Sequence, residues 1–220
     1  MSNIKVLYED NHIIAVFKPA GVLSQPDKTG NPSMLEEVKK YLKEKYHKPG
    51  NVFVGLLHRL DRPVSGIMIF AKTSKGASRL SEQFRNQEIE KTYEVIVIGK
   101  PVKEKGMLKN VLGKDIKTKK ANEYADGQEA VLYYEVIKSN DTYSLLKISI
   151  EGGKFHQIRA QLSAAGFPIL GDVKYGGQTW NNEKSIALCA TGLSFKKATE
   201  DRMVHLQIKT PEEWEGYLPR

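Results

Sequence analysis

The apolar residues of this chain come in runs of four or five, such as IIAVF at 13–17, IMIFA at 67–71 and VIVI at 95–98. Runs of that length suit buried strands, and they fall far short of the roughly 20 residues needed to cross a bilayer. The pattern therefore predicts a sheet-rich chain and no membrane-spanning helix. With 40% apolar residues in 220, enough material exists for a real core, which excludes a fibrous or wholly disordered chain. The single cysteine, Cys189, offers no internal disulfide and no cysteine cage for a metal. The opening MSNIKVLYEDNH has neither an apolar stretch behind a basic start nor a small-residue cleavage site, so a cytoplasmic protein is expected.

Charge is unevenly distributed. Lys and Arg number 34 against 26 Asp and Glu, a net +8 with a pI near 9.3, and a balance of this sign favours polyanionic partners. Eight lysines stand against Glu104 and Asp115 in residues 100–120, so this segment holds six of the eight excess charges. Two readings are open for it: a mobile loop that follows phosphates, or a loop kept soluble by charge. Arginine, the residue suited to planar bidentate recognition, is scarce, which makes an arginine inside a motif more informative than a lysine.

Along the chain, residues 4–8 and 12–18 read as strands joined at Asp10-Asn11, followed by the loop KPAGVLSQP. Residues 32–47 read as an amphipathic helix capped by Asn31, with Leu35, Val38, Leu42 and Tyr46 on one face. A second helix is expected at 75–87, with Ser74 as cap and Ala77, Leu80 and Phe84 inward. Strands follow at 90–100, 129–139 and 142–150, then a short helix at 156–166 and two last strands within IALCATGLSF and RMVHLQI. No repeat or linker-like stretch divides the chain. The expectation is an α+β protein: one domain over residues 1–220, built on a large mixed, mostly antiparallel sheet with flanking helices.

Two polar clusters stand out against this background. HRLDRPVSG at 58–66 concentrates charged side chains between two strand-like runs. It reads either as a turn in which Asp61 accepts backbone N–H groups or as a loop with a chemical task. GGKFHQIRAQL at 152–162 sets His156 and Arg159 three apart on one helical face, which by itself also describes an exposed polar face. His58 and His156 are expected to hold loops by hydrogen bonds, and Cys189, Trp180 and Trp214 to serve packing.

In combination the clusters resemble the RluA-type RNA pseudouridine synthases. KPAGVLSQP is similar to that family's first motif, HRLDRPVSGIMIFAKT to its catalytic motif, KTYEVIVIG to its Lys-x-Tyr strand, and FHQIRAQLSAAGFPILGDVKYGG to its third motif. The resemblance implies that Asp61 is the catalytic aspartate, Tyr93 the tyrosine against the target base, and Arg159 the arginine that pairs with the aspartate. Ile158 matches the apolar floor of the uracil pocket, and Arg59 a position that enters the RNA stack as the base leaves. His58 and Arg62, flanking these, join the substrate-binding candidates. The implied activity is isomerisation of uridine in structured RNA, transfer or large-subunit ribosomal, and with no association stripe visible in the sequence a monomer is expected. Neither a cofactor nor a metal is implied, and DNA is not an expected partner.

Three departures qualify the match. Val64 stands where the family's catalytic turn usually has Thr, and Lys154-Phe155 where Gly-Arg often precedes His-Gln-Ile-Arg. Only a short stretch precedes KPAGV, so the N-terminal RNA-binding module that many relatives carry is not expected. A catalytically silent RNA-binding domain of the same fold is the alternative reading. A glycoside hydrolase is disfavoured because it usually needs two facing carboxylates, and only Asp61 stands out.

Overall fold

Strands are the commonest regular element of this chain. The structure is a computed structural model, described here for residues 4–124, 126–180 and 184–218. In order the elements are β1 (Lys5–Glu9), β2 (Ile13–Lys18), α1 (Met34–Lys45), β3 (Gly55–Leu56), β4 (Ser65–Ala71), α2 (Ser74–Arg85), β5 (Glu90–Ile98) and β6 (Lys105–Lys114). There follow β7 (Ala121–Glu123), β8 (Gln128–Ser139), β9 (Tyr143–Ile150), α3 (Gln157–Ala164), β10 (Leu188–Lys196) and β11 (Met203–Gln207). Short 3-10 turns lie at Val173–Tyr175 and Glu212–Tyr217. The α+β class and the large, mostly antiparallel sheet are as expected. No helix among the described residues is long and apolar enough to cross a membrane.

The chain divides into two compact units, Met1–Glu90 with Gly192–Ile208, and Lys91–Thr191 with Lys209–Arg220. In the first, β2 lies between β1 and β4, antiparallel to both, β3 pairs with β4, and β11 pairs with β10. All seven residues of β4 are buried, as a central strand requires. Ile13, Ala15, Ile67, Ile69, Leu80 and Phe195 form its core. Helix α1 buries Met34, Val38 and Leu42, three of one apolar face. Its cap is Ser33 rather than Asn31: the Ser33 hydroxyl accepts from Glu36 N while the Glu36 carboxylate takes the Ser33 N–H, a reciprocal capping box. Thr73, not Ser74, caps α2 in the same way through Gly76 N. Both corrections have one cause: the oxygen must lie three residues before the N–H that it takes.

The second unit runs β5-β9-β8-β6-β7, antiparallel throughout. Its largest departure from expectation is the lysine-rich segment, whose residues 105–114 form a strand. β6 turns Lys105, Met107, Lys109 and Val111 to solvent and alternates them with more enclosed residues, ending at buried Leu112. Lys105 and Lys109 face Glu135 and Glu129 at 2.8 Å across the sheet. The alternation is not carried by composition: apolar Met107 and Val111 share the outward face with Lys105 and Lys109, so no apolar period of two marks this strand in the sequence. Trp180, Trp214 and Cys189 are buried, as expected of packing residues.

In the first unit the Glu9 carboxylate gathers Lys45 and Lys72, each at 2.7 Å, and the Tyr46 hydroxyl at 2.6 Å. Burial pushes its pKa up, but the hydrogen bonds from Lys45, Lys72 and Tyr46 outweigh that and hold it at about 2. A depressed carboxyl stabilises the fold above its ordinary pKa and loses that contribution as pH falls through the folded value. Acid unfolding should therefore show wild type losing more stability than Glu9→Gln between pH 4.5 and about 2; coincident profiles would contradict this role.

Candidate active site

Asp61 sits half-buried in the connection between β3 and β4, and a buried lysine organises that connection. Lys18, at the end of β2, is 0% exposed, and its ammonium donates to the carbonyls of Val64 at 2.6 Å, Arg62 at 3.1 Å and Pro19 at 3.1 Å. An ammonium out of water needs such oxygens, so the loop carbonyls and Lys18 satisfy one another. The KPAGVLSQP segment adds further ties. Gly21 N donates to Arg62 O at 2.8 Å and Arg62 Nε returns to Gly21 O at 3.0 Å. Ser24 Oγ donates to Leu60 O at 2.6 Å and accepts from Leu60 N at 3.1 Å. Gly21 reaches this position with φ of 82°, open to glycine at little cost. Within the loop, Val64 N closes a turn on Asp61 O at 3.0 Å. Val64 itself is buried, so the methyl that replaces the family's usual hydroxyl is accommodated by packing.

The residues around Leu60 and Asp61 project differently. Arg59 and Arg62 are exposed, whereas His58 is half-buried, its Nε2 accepting from Ile69 N at 3.0 Å and its ring stacked on Phe84 at 5.2 Å. His58 thus fixes the loop to β4, the structural role expected of it.

The other expected residues belong to the second unit. Tyr93 is buried on β5 opposite Ile148 of β9. Ile158 and Arg159 lie in the first turn of α3, which buries Gln157 through Leu162, so this helix is not an exposed polar one. Gln157 and Gln161 anchor it by donating to Val131 O and Ala130 O, at 2.9 and 3.0 Å. Arg159 donates in a bidentate manner to Asp172, Nε to Oδ2 at 2.7 Å and Nη2 to Oδ1 at 2.8 Å, with both side chains buried. The Tyr175 ring lies 5.1 Å from the guanidinium carbon, and its hydroxyl accepts from Ala121 N at 2.7 Å and bonds His156 Nδ1 at 2.9 Å. One turn, Asp172–Tyr175, therefore grips Arg159 from its edge and from its face.

Structure brings His58, Arg59, Asp61 and Arg62 together on one loop, and Ile158 with Arg159 on one helix turn. Asp172, Tyr175 and Lys18 were not identified from sequence as holding these groups. A signal existed for Asp172: an acid directly after the apolar PILG must find a cation if buried, and the scarce arginines supply few. Lys18 gave no such signal, since its partners are backbone carbonyls with no sequence signature.

The chain matches the family of RNA pseudouridylate synthases over residues 12–164, a stretch that contains both polar clusters. It is 33% identical to an uncharacterized RNA pseudouridine synthase of Bacillus subtilis over 79% of this chain and 58% of that one. It is also 33% identical to ribosomal large subunit pseudouridine synthase C of Rickettsia prowazekii over 94% of this chain and 68% of that one. Its fold is that of human RNA pseudouridylate synthase domain containing 4, with a TM-score of 0.78 at 21% identity, covering 96% of this chain and 90% of that one. The chain belongs to the RNA pseudouridine synthase family. It spans between about three fifths and two thirds of the length of these two curated relatives.

Removing one partner of a buried ion pair strands the other charge, at about 3–5 kcal/mol. Asp172→Ala should lose stability of that order in denaturant titration, and Asp172→Asn part of it; a loss below about 1 kcal/mol, the range of an exposed pair, would contradict a structural grip on Arg159.

Proposed function

We propose that this chain isomerises specific uridines in structured RNA to pseudouridine, with Asp61 as the carboxylate that acts at the nucleoside. The observation that carries the reading is the Asp61 loop: an ionisable carboxylate in HRLD, braced by a buried lysine and by two hydrogen-bonded residues of the preceding motif, within the family's matched stretch. The reaction breaks the glycosidic carbon–nitrogen bond of uridine, turns the base, and joins the sugar to carbon 5. The hydrogen on carbon 5 leaves as a proton, and the ring nitrogen gains one. No electrons are transferred, so the chemistry asks for no redox cofactor.

The remaining roles follow the resemblance. Arg159 is the partner that the resemblance gives Asp61, Tyr93 sets its ring against the base with a hydroxyl able to move a proton, and Ile158 floors an apolar pocket that retains the detached base. A uridine within folded RNA must first be extruded, at a few kcal/mol of lost stacking. Arg59 occupies the stack as the base departs, with His58 and Arg62 beside it. Residues 1–220 act as one catalytic domain, and as a monomer of the cytoplasm. Names of relatives such as the Rickettsia protein favour large-subunit ribosomal RNA as the first substrate class to test, ahead of transfer RNA.

The test is single-turnover conversion of an unmodified large-subunit ribosomal RNA transcript, and of transfer RNA transcripts, by wild type and Asp61→Ala. The expected result is pseudouridine at one or a few sites with wild type, a rate lower by about 1,000-fold or more in the variant, and RNA affinity kept. Binding without conversion by wild type would instead identify a catalytically silent RNA-binding domain.

A further inference from the structure

Lys91, at the start of β5, is half-buried, and its ammonium lies over the turn that leads into α3. A Cβ placed on Gly153 would stand 3.5 Å from Lys91 Nζ, and one on Gly152 would stand 3.9 Å from Lys154 Nζ. Two ammonium groups thus converge on one two-glycine turn. Gly152 and Gly153 have φ of 74° and 154°, and with no side chain of their own they leave the space beside both lysines clear. Among the described residues neither ammonium has a hydrogen bond or a carboxylate partner, and the charge that bears on Lys91 is that of Lys154. Burial first, and the Lys154 charge second, hold the Lys91 pKa below its ordinary value.

Two like charges brought together, one of them partly out of water, cost stability unless an anion joins them. Elsewhere in this unit two lysines have carboxylate partners, Lys105 with Glu135 and Lys109 with Glu129. The pair at the glycine turn is left uncompensated, and its surroundings add to the positive field. Lys114 Nζ stands 4.8 Å from the ring of Phe155, the residue after Lys154, and that half-exposed ring is stacked on His156 at 3.8 Å.

We propose that Lys91 and Lys154 form a seat for a single backbone phosphate of the RNA substrate, entered over the Gly152–Gly153 turn. The seat rests on the reading of this chain as an RNA-acting enzyme and adds to it a binding site outside the Asp61 loop. Its chemistry is that of a phosphodiester oxygen held between two ammonium donors, with no base readout.

The experiment compares wild type with Lys91→Met/Lys154→Met, which keeps the aliphatic stems, in binding an unmodified large-subunit ribosomal RNA transcript at several salt concentrations. Without its hold on one phosphate, the double variant should show a slope of log affinity against log salt that is shallower by about 0.7–0.9. The melting temperature should stay level or rise, because a repulsion is removed; a structural lysine pair would show the opposite. Lys154→Met alone, which leaves the Lys91 ammonium in place, should give a smaller loss in the same direction. Wild-type affinity and slope in the double variant, with wild type still converting the RNA, would overturn the seat and leave the enzyme reading intact. An equal loss from Lys39→Met/Lys43→Met, on the exposed face of α1, would assign the effect to net charge and also overturn it. Failure of wild type to bind RNA at all would overturn both readings.

Discussion

An ammonium removed from water is tolerated only where oxygens surround it, and Lys18 meets that condition with the carbonyls of Pro19, Arg62 and Val64. The constraint works in both directions. Three carbonyls on either side of a loop reversal obtain a shared donor, and the loop obtains one geometry. Gly21 and Ser24, a few residues further along the same segment, tie Arg62 and Leu60 by backbone and hydroxyl hydrogen bonds. Asp61 stands between these two anchored residues. Its carboxylate is therefore presented by a loop whose backbone is fixed on both flanks, the preorganisation that the role proposed for it would use.

The second unit solves a related problem with a different device. A guanidinium at the start of α3 is held in plane by Asp172 and covered by Tyr175. Tyr175 also receives the Ala121 amide at the start of β7 and bonds His156, and Lys120 lies 5.8 Å from its ring. The same short turn thus supports both Arg159 and the end of the lysine-rich hairpin. Lysines in that hairpin divide by partner: those on the open sheet face are paired with glutamates, while Lys114 and Lys120 lie against aromatic rings.

Much of this was legible in the sequence. The helical spacing of Val38 and Leu42, and of Ala77, Leu80 and Phe84, placed α1 and α2, and alternation placed β5, β8 and β9. The polar centre at 58–66 was recognisable because charged residues between buried strands need a reason to be there. What stayed hidden shares a physical cause. Lys18 bonds backbone carbonyls and Tyr175 a backbone amide, and such partners leave no residue-type signature at a distance. Asp172 bonds a side chain 13 residues away through a register that only folding sets. The strand character of 105–114 was masked because apolar Met107 and Val111 share its outward face with Lys105 and Lys109, so no apolar alternation marks it.

Hydrogen exchange at the amides of Gly21 and Val64 in Lys18→Met, compared with wild type, tests most directly whether this buried lysine holds the Asp61 loop. Both amides donate within the anchored segment, to Arg62 O and Asp61 O. Loss of the ammonium leaves buried acceptors unmatched, at about 1–3 kcal/mol each. The account predicts that protection at these two amides falls well below that of the β4 amides. Unchanged protection at Gly21 and Val64 would show that the loop keeps its shape without Lys18, and would contradict it.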